Sequence, residues 1–172
     1  MPTSATPPLP PVSFEAIYKA HHDAVFSFLM RHTNNHRDRS LDLTAEVFAQ
    51  ALVKHTAGAD VTQALLVTMA RRRLIDEIRK IERRARKHLL LVSQDPGHDP
   101  AIRVEETDAV RRTLAKLSPL HQYLLIARFM EDRDVPALAA DLGRSDHAVR
   151  SLLRRAKAAF AEAYSASMEV VS

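Results

Sequence analysis

Apolar residues recur at steps of three and four along most of the chain, which is the period of a helix with one buried face. The first stripe starts after Ser13 and ends near the polar residues 33–35. It predicts a helix whose core-facing residues are Phe14, Ile17, Tyr18, His21, Val25, Phe28 and Leu29.

Two further stripes precede residue 92. Ser40 is a candidate N-cap for a second helix that stops around residues 57–58, with Leu43, Val47, Phe48, Ala51 and Leu52 on its buried face. A third and longest helix is predicted from about Val61 to His88, with Leu66, Ala70, Leu74, Ile78, Ile81 and Ala85 on its apolar side.

The last third of the chain is rich in capping signals. Thr107 can cap a helix to about Leu117, and Ser118 followed by Pro119 is typical of a helix start. Beyond them the sequence predicts a short helix capped by Asp134 and ended by Gly143, and a final helix capped by Ser145 that runs toward Tyr164.

Two segments lack a helical period and divide the chain. Four prolines between residues 7 and 11 predict a disordered lead at 1–12. Pro96, Gly97 and Pro100 break an acidic stretch, which predicts a flexible linker at 93–104. The expected fold is therefore all-α, with two small helical domains at 13–92 and 105–166, and the abundance of alanine and leucine supports helix over sheet.

Composition excludes several functions. The formal net charge is +4 and there is no cysteine, so neither a disulfide nor a thiolate metal site can form. The three glycines stand about forty residues apart, which excludes dinucleotide and P-loop phosphate patterns. We found no catalytic pair, no signal peptide and no apolar run long enough for a membrane span. We expect a cytoplasmic protein that is not an enzyme, without metal or cofactor; a zinc site at His32 and His36 is the weaker alternative.

Residues 135–153 have the spacing of a helix-turn-helix. Ala139 is small where two helices would cross, Gly143 lies in the turn, and Leu138, Leu142, Val149 and Leu152 or Leu153 supply the buried contacts. The second helix would present to DNA the residues Arg144, Ser145, His147, Arg150, Ser151, Arg154 and Lys157. The alternative is an ordinary helical hairpin with a solvated basic face.

A second basic tract runs from Arg71 to His88. This tract contains nine Lys and Arg residues and only three acids, Asp76, Glu77 and Glu82. The excess of positive charge favours contact with a polyanion. The alternative is a surface helix held by ordinary pairs four residues apart.

Four segments carry a family resemblance. DLTAEVFAQAL (42–52), MARRRLIDEIRKIERR (69–84), LAKLSPLHQYLLIARFMED (114–132) and LAADLGRSDHAVRSLLRRAKAAF (138–160) resemble regions 2 and 4 of bacterial extracytoplasmic-function sigma factors, over about residues 13–164. The resemblance implies a promoter-specificity factor that binds core RNA polymerase, recognises the minus-ten and minus-thirty-five elements, and needs no cofactor.

The resemblance also implies roles for particular residues. A helix exposing Asp42, Glu46 and Gln50 would dock on the clamp helices of the largest polymerase subunit, and the second subunit's flap, promoter DNA and an anti-sigma factor would be further partners. The helix-turn-helix residues above would read the minus-thirty-five element. The minus-ten candidates are Arg71, Arg72, Arg79, Lys80 and Arg83. Asp60, Thr62 and Gln63 are not implied by the resemblance; we expect them to hold a flipped base because this part of the chain has no aromatic residue to stack on it.

The chain departs from the family in its aromatic residues. Leu65, Leu66 and Val67 stand where members often have an aromatic stretch, and no Phe, Tyr or Trp occurs from 49 to 122. This favours, as one alternative, a sigma-like regulator that binds polymerase or another sigma factor without opening promoters. A repressor that uses the helix-turn-helix alone is another, although it leaves the match at 42–52 unexplained.

Overall fold

The computed structural model describes residues 13–88 and 105–169, with side chains for 13–86 and 109–167. Within these ranges the chain is helical and has no strand, which confirms the all-α class. The lead at 1–12, the end of the first domain at 89–92 and the linker at 93–104 lie outside the described residues. The seven described helices are α1 (Phe14–His32), α2 (Arg37–Thr56), α3 (Gln63–His88), α4 (Glu105–Ala115), α5 (Pro119–Phe129), α6 (Val135–Leu142) and α7 (Asp146–Glu169).

Most predicted caps are confirmed by their hydrogen bonds. The hydroxyl of Ser118 accepts from the His121 amide, with Pro119 at the first helical position. Ser13, which was not predicted as a cap, caps α1 by accepting from the Ala16 amide. The carboxylate of Asp134 accepts from the Ala137 amide in the same way. These bonds satisfy amides that the helix itself leaves without a partner.

The predicted start of α2 is wrong. The helix begins at Arg37, so Ser40 lies inside it, buried, and donates its hydroxyl to the His36 carbonyl at 2.9 Å. A serine inside a helix can bond to the preceding turn instead of capping. Leu52 is also not buried; it lies at the edge of the apolar stripe, one position past Ala51, and is 43% exposed.

Three other boundaries differ by a few residues. α3 begins at Gln63 rather than Val61, which is buried just before the helix, and its last turns leave the core, so that Ile81 is only half-buried and Ala85 is exposed. α4 begins at Glu105, ahead of the predicted cap Thr107. α7 continues beyond Tyr164 to Glu169.

Each half of the chain has its own buried residues. Helices α1 to α3 pack together around Val25, Leu29, Val47, Leu66 and Ala70. Helices α4 to α7 pack with α7 against the other three, around Tyr123, Leu124, Leu138, Val149 and Ala156. The halves also touch, because α1 contacts α5 and α3 contacts α6, and the His32 ring lies 5.4 Å from that of Tyr123.

Candidate nucleic-acid and polymerase interfaces

The turn between α6 and α7 has the geometry that the sequence predicts. Gly143 has φ of 60°, in the left-handed region that glycine adopts without strain, and the Arg144 amide donates to the Ala139 carbonyl at 3.0 Å. Ala139 is buried between the helices, and Leu153 rather than Leu152 is the buried leucine of α7. The chain therefore forms a helix-turn-helix.

The outer face of α7 is open and basic. Ser145 caps the helix by accepting from the Ala148 amide at 3.3 Å, and Ser151 is only half-exposed. The other predicted DNA residues here are all exposed: Arg144, His147, Arg150, Arg154 and Lys157. Such a face can enter a major groove, with its first turns near base edges and its later cations near phosphate.

Helix α3 exposes a second basic face. Arg72, Arg79, Lys80 and Arg83 are exposed, as are Asp60, Thr62 and Gln63 ahead of the helix. The Thr62 hydroxyl accepts from the Leu65 amide at 3.3 Å, so it is a capping group. Arg79 forms a solvent-exposed pair with Asp76 at 3.4 Å, and Lys80 lies 3.5 Å from Glu77, which is half-buried and also binds Arg39. An exposed pair such as Arg79 with Asp76 is weak, but Arg79 also donates to the Leu142 carbonyl at 3.0 Å in a part-buried contact.

Arg71 lies elsewhere. Its side chain is only 13% exposed and its Nη2 lies 3.1 Å from Oε2 of Glu131, at the end of α5. Its guanidinium also lies over the Phe28 ring at 5.3 Å, and its Nε is 3.9 Å from Asp141. In this structure Arg71 therefore belongs to the contact between the two helical domains.

Glu131 is the residue of this region that sequence reasoning missed. Its Oε1 lies 2.8 Å from Nε2 of the buried His32, 99 positions away in the chain. Burial raises the pKa of the Glu131 carboxyl, but its hydrogen bonds and charge interactions with His32 and Arg71 outweigh burial and leave the pKa below its usual value. The carboxylate is thus held ionised by its contacts with the Arg71 guanidinium and the His32 ring.

Asp141 is a second carboxylate near Glu131 that accepts hydrogen bonds from neighbouring side chains. Its Oδ2 accepts from the Tyr123 hydroxyl at 2.9 Å and from Arg133. Burial, followed by the neighbouring Asp141 charge, raises the pKa of the Tyr123 hydroxyl, so the phenol stays protonated and donates.

The exposed side of α2 is acidic and apolar. Asp42, Glu46 and Gln50 are all exposed, as predicted, while Leu43, Val47 and Phe48 face the core. Leu41, Leu52 and Val53 add exposed apolar surface on the same helix. A surface that combines charge with exposed aliphatic residues is suited to protein contact.

Residues 13–88 and 105–169 contain no group of three or more side chains placed to hold a metal ion. His32, one member of the weaker zinc candidate, is bonded to Glu131 instead. No helix within the described ranges is long and apolar enough to cross a membrane.

The fold and these surfaces define a helix-turn-helix protein with two basic faces on separate helical domains. Residues 107–160 match the family model of sigma-70 region 4. The chain is 26% identical to the RNA polymerase sigma factor YlaC of Bacillus subtilis strain 168 over 153 residues, which cover 84% of this chain and 88% of that protein.

A solved structure shares the fold. It is the sigma factor RpoE from Bartonella quintana, determined in complex with the anti-sigma factor NepR. The two chains superpose with a TM-score of 0.56 and are 18% identical, and the match covers 87% of this chain and 95% of that one. Over most of its length the chain is therefore similar to RNA polymerase sigma factors, in sequence to the first of these relatives and in fold to the second. These similarities do not favour the alternative of a sigma-like regulator that does not open promoters.

Proposed function

We propose that the chain binds core RNA polymerase through α2 and places it on promoters by two DNA contacts, α3 on the minus-ten element and α7 on the minus-thirty-five element. The observation that carries this proposal is the pair of exposed basic faces on separate domains. Tethering two contacts in one chain raises the effective concentration of the second once the first has formed.

In the minus-thirty-five contact, different residues of α7 recognise bases and bind the phosphate backbone. Arg150 lies in the second turn of α7 and is exposed, within reach of guanine O6 and N7 in a major groove. Lys157 lies two turns further on, with its Nζ 4.9 Å from the centre of the Phe129 ring. We therefore assign Arg150 to base recognition and Lys157 to the backbone.

The minus-ten contact combines charge with polar groups. Arg72, Arg79, Lys80 and Arg83 hold the separated strand, and Arg71 joins them when it is released from Glu131. Asp60, Thr62 and Gln63, ahead of α3, hold the flipped base. The absence of aromatic rings from 49 to 122 makes this capture depend on hydrogen bonds.

The protein partners follow from α2 and from the relatives. Asp42, Glu46 and Gln50 dock on the clamp helices of the largest polymerase subunit, and the domain around α7 contacts the flap of the second subunit. The solved relative with NepR supports an anti-sigma factor as a further partner. The chain acts by binding and catalyses no reaction of its own, within two domains at 13–92 and 105–166, in the bacterial cytoplasm at the nucleoid.

Run-off transcription tests the proposal. Purified core polymerase with this chain, on a library of genomic promoter fragments, should give discrete start sites that core enzyme alone does not give. A variant with Arg150→Ala should lose part of that set, whereas Glu162→Gln, an exposed change on the same helix, should not. Start sites that are identical with and without the chain would contradict the proposal.

A further inference from the structure

Helices α2 and α3 are joined along one edge by two ion pairs of opposite polarity. Nη2 of Arg39 on α2 donates to Oε1 of Glu77 on α3 at 2.7 Å. Oε2 of Glu46 on α2 lies 3.5 Å from Nη1 of Arg73 on α3. Arg73 and Glu77 are one helical turn apart, so both pairs lie on the side of α3 that meets α2. The second pair includes a residue of the proposed polymerase-docking surface.

The two pairs contribute differently to the fold. Arg39 and Glu77 form a short, part-buried hydrogen bond, whereas the Glu46 side chain is 52% exposed and its contact with Arg73 is longer. An ion pair with a half-exposed partner adds little stability. The buried side chains between α2 and α3 and the Arg39–Glu77 bond hold the helices together without it. Arg73 is therefore not needed to join them.

Arg73 is an unfavourable residue for the stability of this edge. Its side chain is only 33% exposed, and its Nε is buried without a hydrogen-bond partner. A buried donor that makes no hydrogen bond lowers stability, and an apolar side chain of similar length avoids that loss. The guanidinium nevertheless lies beside one oxygen of Glu46. This arrangement provides a carboxylate in a defined position rather than a more stable fold.

We propose that Arg73 is a positioning residue for polymerase docking, because its guanidinium holds the Glu46 carboxylate ready to accept from a basic side chain of core RNA polymerase. Arg73 contacts Oε2, and an ionised carboxylate accepts at both oxygens, so Oε1 is left for the partner. Ordering a flexible glutamate before binding removes an entropic cost from the docking step. This inference rests on the proposed function, because it takes Glu46 as a docking residue.

The charge of Arg73 also has an opposing effect on docking. A cation beside Glu46 weakens the long-range attraction between the acidic face of α2 and a basic partner. That attraction is screened beyond about 8 Å at physiological ionic strength, whereas the 3.5 Å contact lies well inside this distance. Positioning therefore dominates at moderate salt, and removing Arg73 there weakens docking.

The affinity for core polymerase, measured without DNA by fluorescence anisotropy of the labelled chain, tests the proposal. Arg73→Met removes the guanidinium and keeps a long side chain. At about 0.15 M salt we expect it to bind about two- to tenfold more weakly, the cost of ordering one flexible side chain. Its melting temperature should be unchanged or higher, because the unpaired buried donor is gone. Arg84→Met removes the same charge from an exposed position on α3 and should change neither quantity.

A double-mutant cycle shows whether Arg73 acts through Glu46. Once Glu46→Gln is present, adding Arg73→Met should change the affinity little, whereas a general distortion of α2 would weaken both backgrounds alike. Arg73→Lys keeps a cation at the end of a long side chain and should restore part of the affinity in the chain that retains Glu46.

The outcomes separate this inference from the proposed function. If Glu46→Gln bound core polymerase as tightly as the unaltered chain, Glu46 would not be a docking residue, and the inference would fail with that part of the proposed function. If Glu46→Gln bound weakly while Arg73→Met bound normally, or if the two losses added, docking would stand and the positioning role would be overturned. A clearly lower melting temperature in Arg73→Met would assign Arg73 to the fold and overturn the role as well.

Discussion

The carboxylate of Glu131 links the charge of one residue to the stability of the fold. Its pKa is lowered from the ordinary 4.5 because its bonds with His32 and Arg71 outweigh the effect of burial. A group with a lowered pKa in the folded state contributes stability that is complete above the ordinary pKa and is lost as pH falls through the lowered value. Arg31 at 3.9 Å is the other charged group facing it.

This linkage gives a prediction for acid unfolding. The difference in free energy of unfolding between the unaltered chain and Glu131→Gln should be largest above pH 4.5 and should shrink at more acidic pH. Urea unfolding followed by circular dichroism at a series of pH values measures it. A difference that stays constant from neutral pH into strong acid would show that the carboxylate does not titrate with unfolding.

Arg150 and Lys157 differ by position on the same helix, which predicts different mutational effects. Arg150→Ala should relax the preference at one minus-thirty-five position by about 1 to 3 kcal/mol, because a paired contact with guanine is lost. Lys157→Ala should weaken binding to all DNA sequences alike. It should also lower by about one the slope of log affinity against log salt concentration. Binding to a randomised element at several salt concentrations distinguishes them, and identical profiles would contradict the assigned orientation of α7.

At the scale of elements, α2 has core residues on one side and the proposed polymerase-docking residues on the other. Phe48 is buried and packs on Tyr18, with ring centres 4.7 Å apart, whereas Asp42 and Glu46 are exposed. The combined change of Asp42 and Glu46 to Lys should weaken co-purification with core polymerase while leaving the melting temperature nearly unchanged. Phe48→Ala should instead destabilise the fold by about 3 to 5 kcal/mol.

The matched control for docking lies on α1. Reversal of Glu15 and Asp23 to Lys changes the net charge equally on exposed positions of another helix. It should leave polymerase binding intact. Equal loss of binding from the α1 and α2 double variants would indicate a general charge effect rather than a docking surface.

Elements were predictable where the signal was local. Ser118 and Asp134 cap helices because their partners lie three residues ahead, and Gly143 ends α6 because its backbone angle suits glycine. Ser40 misled the prediction because a hydroxyl that can cap can equally bond to the preceding turn. The Glu131 cluster was not predictable, since periodicity reports one helix face and carries no information on partners 60 and 99 positions away.

At the scale of the whole molecule, promoter opening has to proceed without aromatic rings between 49 and 122. Stacking on such a ring is worth about 1 to 3 kcal/mol per base, a large part of the few kcal/mol that extrusion costs. We therefore expect opening by this holoenzyme to depend strongly on negative supercoiling. Permanganate footprinting on linear and supercoiled templates measures it, and equal thymine reactivity on both at moderate salt would contradict the expectation.

The partners of Glu131 also constrain how this sequence can change over evolutionary time. A neutral residue at 131 would leave Arg71 with one distant acid, Asp141, and the buried His32 without its acceptor. Such a substitution is tolerable only if positions 32 and 71 change with it or if the domains no longer meet. Among homologues, position 131 should therefore covary with positions 32 and 71, and lineages that have lost the acid should also have lost the histidine.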